Sequence, residues 1–141
     1  MAQLHERLDA AQEALYAEAT GGGRRAVLLV LQGMDTSGKG GVIGHVAGLM
    51  NAQGLHIAAF KKPTAQERAH HFLWRIRKQV PGPGMIGVFD RSHYEDVLVV
   101  RVDGLAPEAQ WRSRYAEIRD FEAGLAADGV TVVKAMLHVS Q

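Results

Sequence analysis

The stretch AVLLVLQGMDTSGKGGV, residues 26–42, constrains this chain more than any other. Six apolar residues, Ala26 to Leu31, run without a polar break. That is the pattern of a strand covered on both faces, as in a parallel sheet. A turn through 32–40 follows, and the next residues can be helical. Strand, glycine-bounded loop and helix N-terminus in that order form a cradle for phosphate. Gly33 and Gly38 let the backbone approach an anion, and the N–H groups of Met34, Thr36, Ser37, Gly40 and Gly41 can converge on it. Lys39 adds a point charge. The pattern G-x-x-x-x-G-K-[ST] is met at every place but the last, where Gly40 replaces the hydroxyl that would touch Mg²⁺. Asp35, inside the loop, then has two readings. It is a solvated turn residue that caps the helix, or it serves the cation. A carboxylate beside phosphates is repelled unless a cation lies between, so the missing hydroxyl and the Lys39 charge favour Mg²⁺.

A chain of 141 residues, 47% of them hydrophobic, is expected to bury one core. We divide it into an N-terminal helix and linker, 1–24, and an α/β core, 25–141. The net charge is +1, from 16 basic and 15 acidic residues, so there is no bulk attraction to nucleic acid. Cysteine is absent, which excludes disulfides and thiolate metal sites. The first 20 residues are polar and amphipathic, unlike a secretory signal. No apolar run approaches the ~18 residues of a membrane span. The expectation is a soluble cytoplasmic protein. The seven histidines show no metal-ligand spacing. His70 and His71 are adjacent, so on a helix they diverge by about 100°.

In chain order, Leu4, Leu8, Ala11, Leu15 and Ala19 predict an amphipathic helix over 3–19. Gly21-Gly22-Gly23 ends it, and Arg24 and Arg25 read as solvated flanking charges. After the loop a helix is expected over 39–51, a turn at Gly54 and a second strand over 55–60. Lys61-Lys62-Pro63-Thr64 then lies at a strand's carboxyl end, where open α/β sheets bind ligands. Thr64 and Glu67 form a capping box for a helix over 65–80. Its basic face, with Arg75, Arg77 and Lys78, is either solvated surface or the wall of an anion channel. Pro81-Gly82-Pro83-Gly84 breaks the chain. A third strand over 85–89 ends in Asp90, the place of a Walker B carboxylate that holds Mg²⁺, with helix capping as the alternative. Arg91 could clamp phosphate or pair with a carboxylate. Residues 97–102 fit helix or strand by period, and helix is favoured. Pro107 opens a helix to about 127, with Trp111, Tyr115, Ile118, Phe121, Glu122 and Leu125 on one face. Trp111 and Tyr115 are expected in the core. Asp128-Gly129 ends this helix before a fourth strand over 130–139.

The motifs GMDTSGKGG (33–41), FKKPT (60–64), FDRSHYEDVLVVRV (89–102), W-R-x-R-Y (111–115) and VVKAMLHVS (132–140) resemble the polyphosphate kinase 2 family. The resemblance runs from about Leu4 onward. It implies a P-loop NTPase-like three-layer αβα sandwich with a mainly parallel sheet, similar to thymidylate kinases. It also implies Mg²⁺-dependent phosphoryl transfer between inorganic polyphosphate and AMP, ADP, GMP or GDP. By resemblance Asp35, Lys39, Asp90 and Arg91 are catalytic, and Asp35 and Asp90 hold the metal. Lys61 or Lys62 matches a basic residue near the phosphate path. We assign nucleotide contact to Arg75, His93 and Tyr94. Family members continue past the fourth strand into a basic lid and further helices, whereas this sequence stops at Gln141 with four strands expected. Without a lid, weak catalysis is the expectation, and an unfinished sheet edge would invite homo-oligomers. Two other readings use the same loop: an ATP-dependent nucleoside or nucleotide kinase, and a non-catalytic module that binds phosphate chains.

Overall fold

The structure is a computed structural model that describes residues 2–33, 39–94 and 107–137. The elements in chain order are α1 (Ala2–Thr20), β1 (Ala26–Gly33), α2 (Lys39–Gly48), a single 3-10 turn (Ala52–Gly54), β2 (Leu55–Ala59), α3 (Ala65–Arg68), α4 (Trp74–Arg77), β3 (Ile86–Asp90), α5 (Glu108–Ala127) and β4 (Val130–Leu137). The four strands form one parallel sheet in the order β2-β3-β1-β4. β1, the apolar run, lies between β3 and β4, as its lack of polar alternation requires.

Parallel neighbours need crossovers, and crossovers are right-handed. The chain leaves β1 toward β2 on one side and leaves β3 toward β4 on the other. That places α2 on one face and α3, α4 and α5 on the opposite face. On the second face Leu73 and Ile76 of the α4 region join Phe121 and Leu125 of α5 over Leu28, Val30 and Phe89. The Phe60 and Phe89 rings meet edge to face, 4.9 Å apart. Each such fully buried side chain contributes about 1.5–3 kcal/mol.

Two turns set the strand entries. Gly129 has φ +95, and a Cβ there would stand 3.0 Å from the Arg24 carbonyl oxygen. Only glycine lets α5 end and β4 begin so abruptly. Gly84 has φ +79, and a Cβ there would stand 2.6 Å from the Ala19 side chain, so glycine also lets α1 sit against the start of β3.

Five expectations need correction. α1 docks through a polar residue: Gln12 is buried, while Leu4 and Ala11 are exposed. Its side-chain amide donates to the Asn51 carbonyl at 2.8 Å and accepts from the Asn51 N–H at 2.7 Å, satisfying both ends of the buried group. The helix over 65–80 is two short helices. The Thr64–Glu67 capping box does form at the start of α3. However, His71 Nδ1 accepts from the Leu73 N–H at 3.2 Å, which starts a new turn at Trp74. α2 ends at Gly48 rather than at 51. Pro107 is the N-cap of α5 rather than a residue of its first turn. Trp111 and Tyr115 are half-buried rather than core, and meet edge to face. The expectations for Met34, Asp35, Thr36, Ser37, Gly38 and the 97–102 segment lie outside the described residues.

Candidate functional site

Because all four strands are parallel, their carboxyl ends share one edge. The break in strand order falls between β1 and β3, where open α/β sheets bind ligands. The register pairs Leu31 with Asp90 and Ala59 with Asp90. The Arg91 N–H donates to the Leu31 carbonyl at 2.9 Å, and the Phe60 N–H donates to the Asp90 carbonyl at 3.1 Å. Gly33, Lys61-Lys62 and Asp90-Arg91 therefore leave the sheet side by side. Three motifs far apart in sequence meet at the edge for a backbone reason.

Asp90 is half-buried, with its Oδ1 carrying almost no solvent-exposed surface. Arg91 has φ 64, a left-handed conformation uncommon for a residue with a side chain. It turns the chain sharply away from the strand direction at the tip of β3. Ser92 follows with no exposed surface, and its Oγ donates to Gln32 Oε1 at 2.8 Å and accepts from the Tyr94 N–H at 3.1 Å. On the other side of the loop, Lys39 begins α2 and Gly40 and Gly41 are exposed. No described atom lies within 4 Å of where a Cβ would stand at either glycine.

Lys61 and Lys62 are exposed. A cavity of about 400 Å³ opens beside them, lined among others by Phe60, Thr64, Arg75 and Lys78. Arg75 itself is 8% exposed. Its guanidinium donates to the Lys61 carbonyl at 2.6 Å, lies 3.8 Å from Glu67 and sits 5.4 Å from the Phe60 ring centre. It braces the Lys61 backbone in this structure. Nearby, Trp74 is stacked on His70 at 3.8 Å and carries Lys78 at 3.8 Å.

His93 and Tyr94 were assigned to a nucleotide, and the structure turns both toward the interior. His93 has no exposed surface. Its Nε2 donates to Glu122 Oε1 at 3.0 Å, because an ionised carboxylate can only accept. Among the described residues its buried Nδ1 has no hydrogen-bond partner. The Tyr94 hydroxyl donates to the same oxygen at 2.6 Å. Lys134 of β4 donates to Glu122 Oε2 at 2.9 Å and to the Tyr94 oxygen at 3.0 Å. Burial alone would push the Glu122 carboxyl up. The hydrogen bonds from His93, Tyr94 and Lys134 outweigh it and hold the group down at about 2. Burial, helped by the Glu122 charge, raises the Tyr94 hydroxyl above its usual range. The bonds to Tyr94 and Glu122 raise Lys134. Glu122 is the residue that sequence reasoning missed. Its signal was a carboxylate on the apolar face of a helix.

Among the described residues no group of three or more His, Cys, Asp or Glu side chains could hold a metal by itself. A single hard carboxylate at the strand tip fits a cation such as Mg²⁺, which is bound through few protein oxygens and completes its shell with water and phosphate. Asp90 has that chemistry and position.

The family model for polyphosphate kinase 2 matches residues 1–141. An AMP/ADP-polyphosphate phosphotransferase from Meiothermus ruber is 49% identical over 141 residues, covering 100% of this chain and 51% of that protein. An ADP-polyphosphate phosphotransferase from Rhodopseudomonas palustris is 46% identical over 96% of this chain and 50% of its own length. The crystal structure of polyphosphate kinase 2 from Arthrobacter aurescens TC1 superposes with a TM-score of 0.96 at 54% identity, over 99% of this chain and 49% of that one. The chain thus spans about half the length of the relatives it matches. The match runs over the whole chain, sheet and Asp90 turn included, and the chain belongs to the polyphosphate kinase 2 family.

Proposed function

We propose that this chain carries the phosphate-holding core of a phosphotransferase that moves a phosphoryl group between inorganic polyphosphate and a nucleoside mono- or diphosphate. One observation carries the reading: the register that brings the end of β1, Lys61-Lys62 and Asp90-Arg91 to one sheet edge. The names of the relatives supply the substrate class, polyphosphate with AMP or ADP.

In this reading the loop N–H groups and Lys39 hold the transferring phosphoryl group. Arg91 neutralises charge that develops on it, and Lys61 and Lys62 guide the chain of phosphates toward it. The acceptor is already a phosphate anion, so a strong general base is unnecessary, and positioning with electrostatics does the work. Asp90 and Asp35 would hold Mg²⁺. Bound there, the ion would supply positive charge that offsets the phosphates. Arg75 supports Lys61 through its carbonyl, and His93 and Tyr94 support the Asp90 turn from inside, which replaces direct nucleotide contact for these three. No described helix is long and apolar enough to cross a membrane, and a nucleotide-dependent reaction suits the cytoplasm. Self-association through β4, where Val133 and Met136 are exposed, is the accompanying quaternary reading.

The test supplies polyphosphate, Mg²⁺ and either ADP or AMP to the purified protein and detects ATP or ADP formed. Product that Lys39→Ala abolishes is the expected result. Transfer from ATP but not from polyphosphate would overturn the donor. Polyphosphate binding with no turnover at high protein concentration would overturn the enzymatic reading.

A further inference from the structure

The two halves of the proposed site come from strands that are 60 residues apart at the point where their side chains join, Gln32 and Ser92. Gln32 directly precedes Gly33 and the phosphate loop. Ser92 directly follows Asp90-Arg91. Both side chains are buried, Gln32 at 7% exposure and Ser92 at 0%. Their hydrogen bond, 2.8 Å long, is therefore shielded from competing water.

Arg91 makes this contact possible. An extended residue at position 91 would carry Ser92 onward with the strand, away from β1. The left-handed φ of 64 turns the chain at Arg91, where its N–H bonds to the Leu31 carbonyl. A strained residue persists only where its surroundings fix it on more than one side. Here the Leu31 carbonyl fixes it before the turn, and the Gln32 amide fixes Ser92 after it. Ser92 Oγ also receives the Tyr94 N–H, so one hydroxyl organises both the turn and its tie to β1.

We propose that Gln32 and Ser92 are positioning residues for phosphate binding: their bond locks the root of the phosphate loop to the Asp90–Arg91 turn, so that one polyanion meets both at a fixed separation. Neither residue touches substrate. The proposal rests on the functional reading above and adds the device that sets its geometry.

The experiment is a double-mutant cycle with Ser92→Ala, Gln32→Met and the pair, plus Ser92→Thr, which keeps the hydroxyl. Thermal midpoint, kcat, KM for polyphosphate and the Mg²⁺ concentration for half-maximal rate are measured on each folded variant. Polyphosphate affinity is measured separately by calorimetry. Each single variant is expected to lose about 10- to 100-fold in kcat/KM, because small misplacements of reacting groups are costly, and to need more Mg²⁺. The pair should be no worse than the worse single variant, and Ser92→Thr should recover most of the loss. Variants that melt earlier yet keep kcat/KM and the Mg²⁺ requirement would overturn the proposal, as would losses that multiply in the pair. If the unmutated protein binds polyphosphate without transferring it, the functional reading fails, and the cycle is read in binding: weakened, non-additive affinity still supports the clamp, and unchanged affinity overturns it. If the unmutated protein neither transfers nor binds, both fail.

Discussion

Two ionic groups, one buried and one half-buried, flank the tip of β3, and they work differently. On the β2 side Arg75 is a buried cation that donates to a backbone carbonyl, that of Lys61. Glu67 lies farther off, at 3.8 Å, and is partly exposed. On the β4 side Glu122 is a half-buried anion held by three side chains, from the segment after β3 and from β4. The cation leans on main chain that the sheet has already ordered. The anion ties the segment after β3 to β4, alongside a direct Lys134–Tyr94 bond. A brace on ordered backbone adjusts an existing edge, whereas a hub of side chains creates the order around it. Losing the hub should therefore cost more.

Removing the hub gives the largest stability effect. Glu122→Leu leaves the His93 ring N–H and the Tyr94 hydroxyl buried without their acceptor, and should destabilise by about 2–3 kcal/mol. Urea unfolding read against Arg75→Met tests the contrast. Arg75→Met loses the bond to the Lys61 carbonyl, which stays near solvent, and should cost about 1–2 kcal/mol. Equal losses at the two positions would erase the distinction.

Acid sharpens the comparison next. The Glu122 carboxyl is held down at about 2 from an ordinary value of 4.5. A depressed folded value means that its contribution is fully present above the unfolded value and disappears as pH falls from about 4.5 toward 2. Stability measured from pH 6 to pH 2.5 should fall less steeply in Glu122→Gln than in the unmutated protein. Arg75→Met should retain the full slope, since it leaves the three side-chain bonds to Glu122 in place.

Smaller effects lie outside both braces. Thr64→Ala removes the cap of α3 and should cost about 1 kcal/mol. Arg24→Ala removes a 3.8 Å pair with Asp128 whose side chains are 74% and 71% exposed, and should leave the unfolding midpoint unchanged. A clear loss at Arg24 would mean that the β4 entry depends on more than Gly129.

The parts of the fold that follow local rules were readable from the chain. The unbroken apolar run of β1 implied a covered central strand, and Thr64 with Glu67 implied a cap that forms as expected. What escaped depends on contacts between distant elements. Gln12 reads as polar, so periodicity discards it, yet its amide anchors α1 to Asn51. The break between α3 and α4 turns on one imidazole nitrogen accepting a backbone N–H, which propensity does not encode. Arg75, His93 and Tyr94 carry chemistry that suits a nucleotide, but type alone cannot tell a ligand contact from a brace. The positions of Lys61 and Glu122 supply the bracing partners that type alone does not reveal. The meeting of Gln32 and Ser92 required both the parallel register and a left-handed Arg91.

The most direct measurement is the rate of Mg²⁺-dependent phosphoryl transfer from polyphosphate by Asp90→Asn, with its thermal midpoint taken alongside. The account predicts a loss of about two orders of magnitude or more in turnover in a protein that still folds, because the carboxylate at the tip of β3 serves the phosphates rather than the sheet. A folded Asp90→Asn protein with a near-normal rate would contradict it.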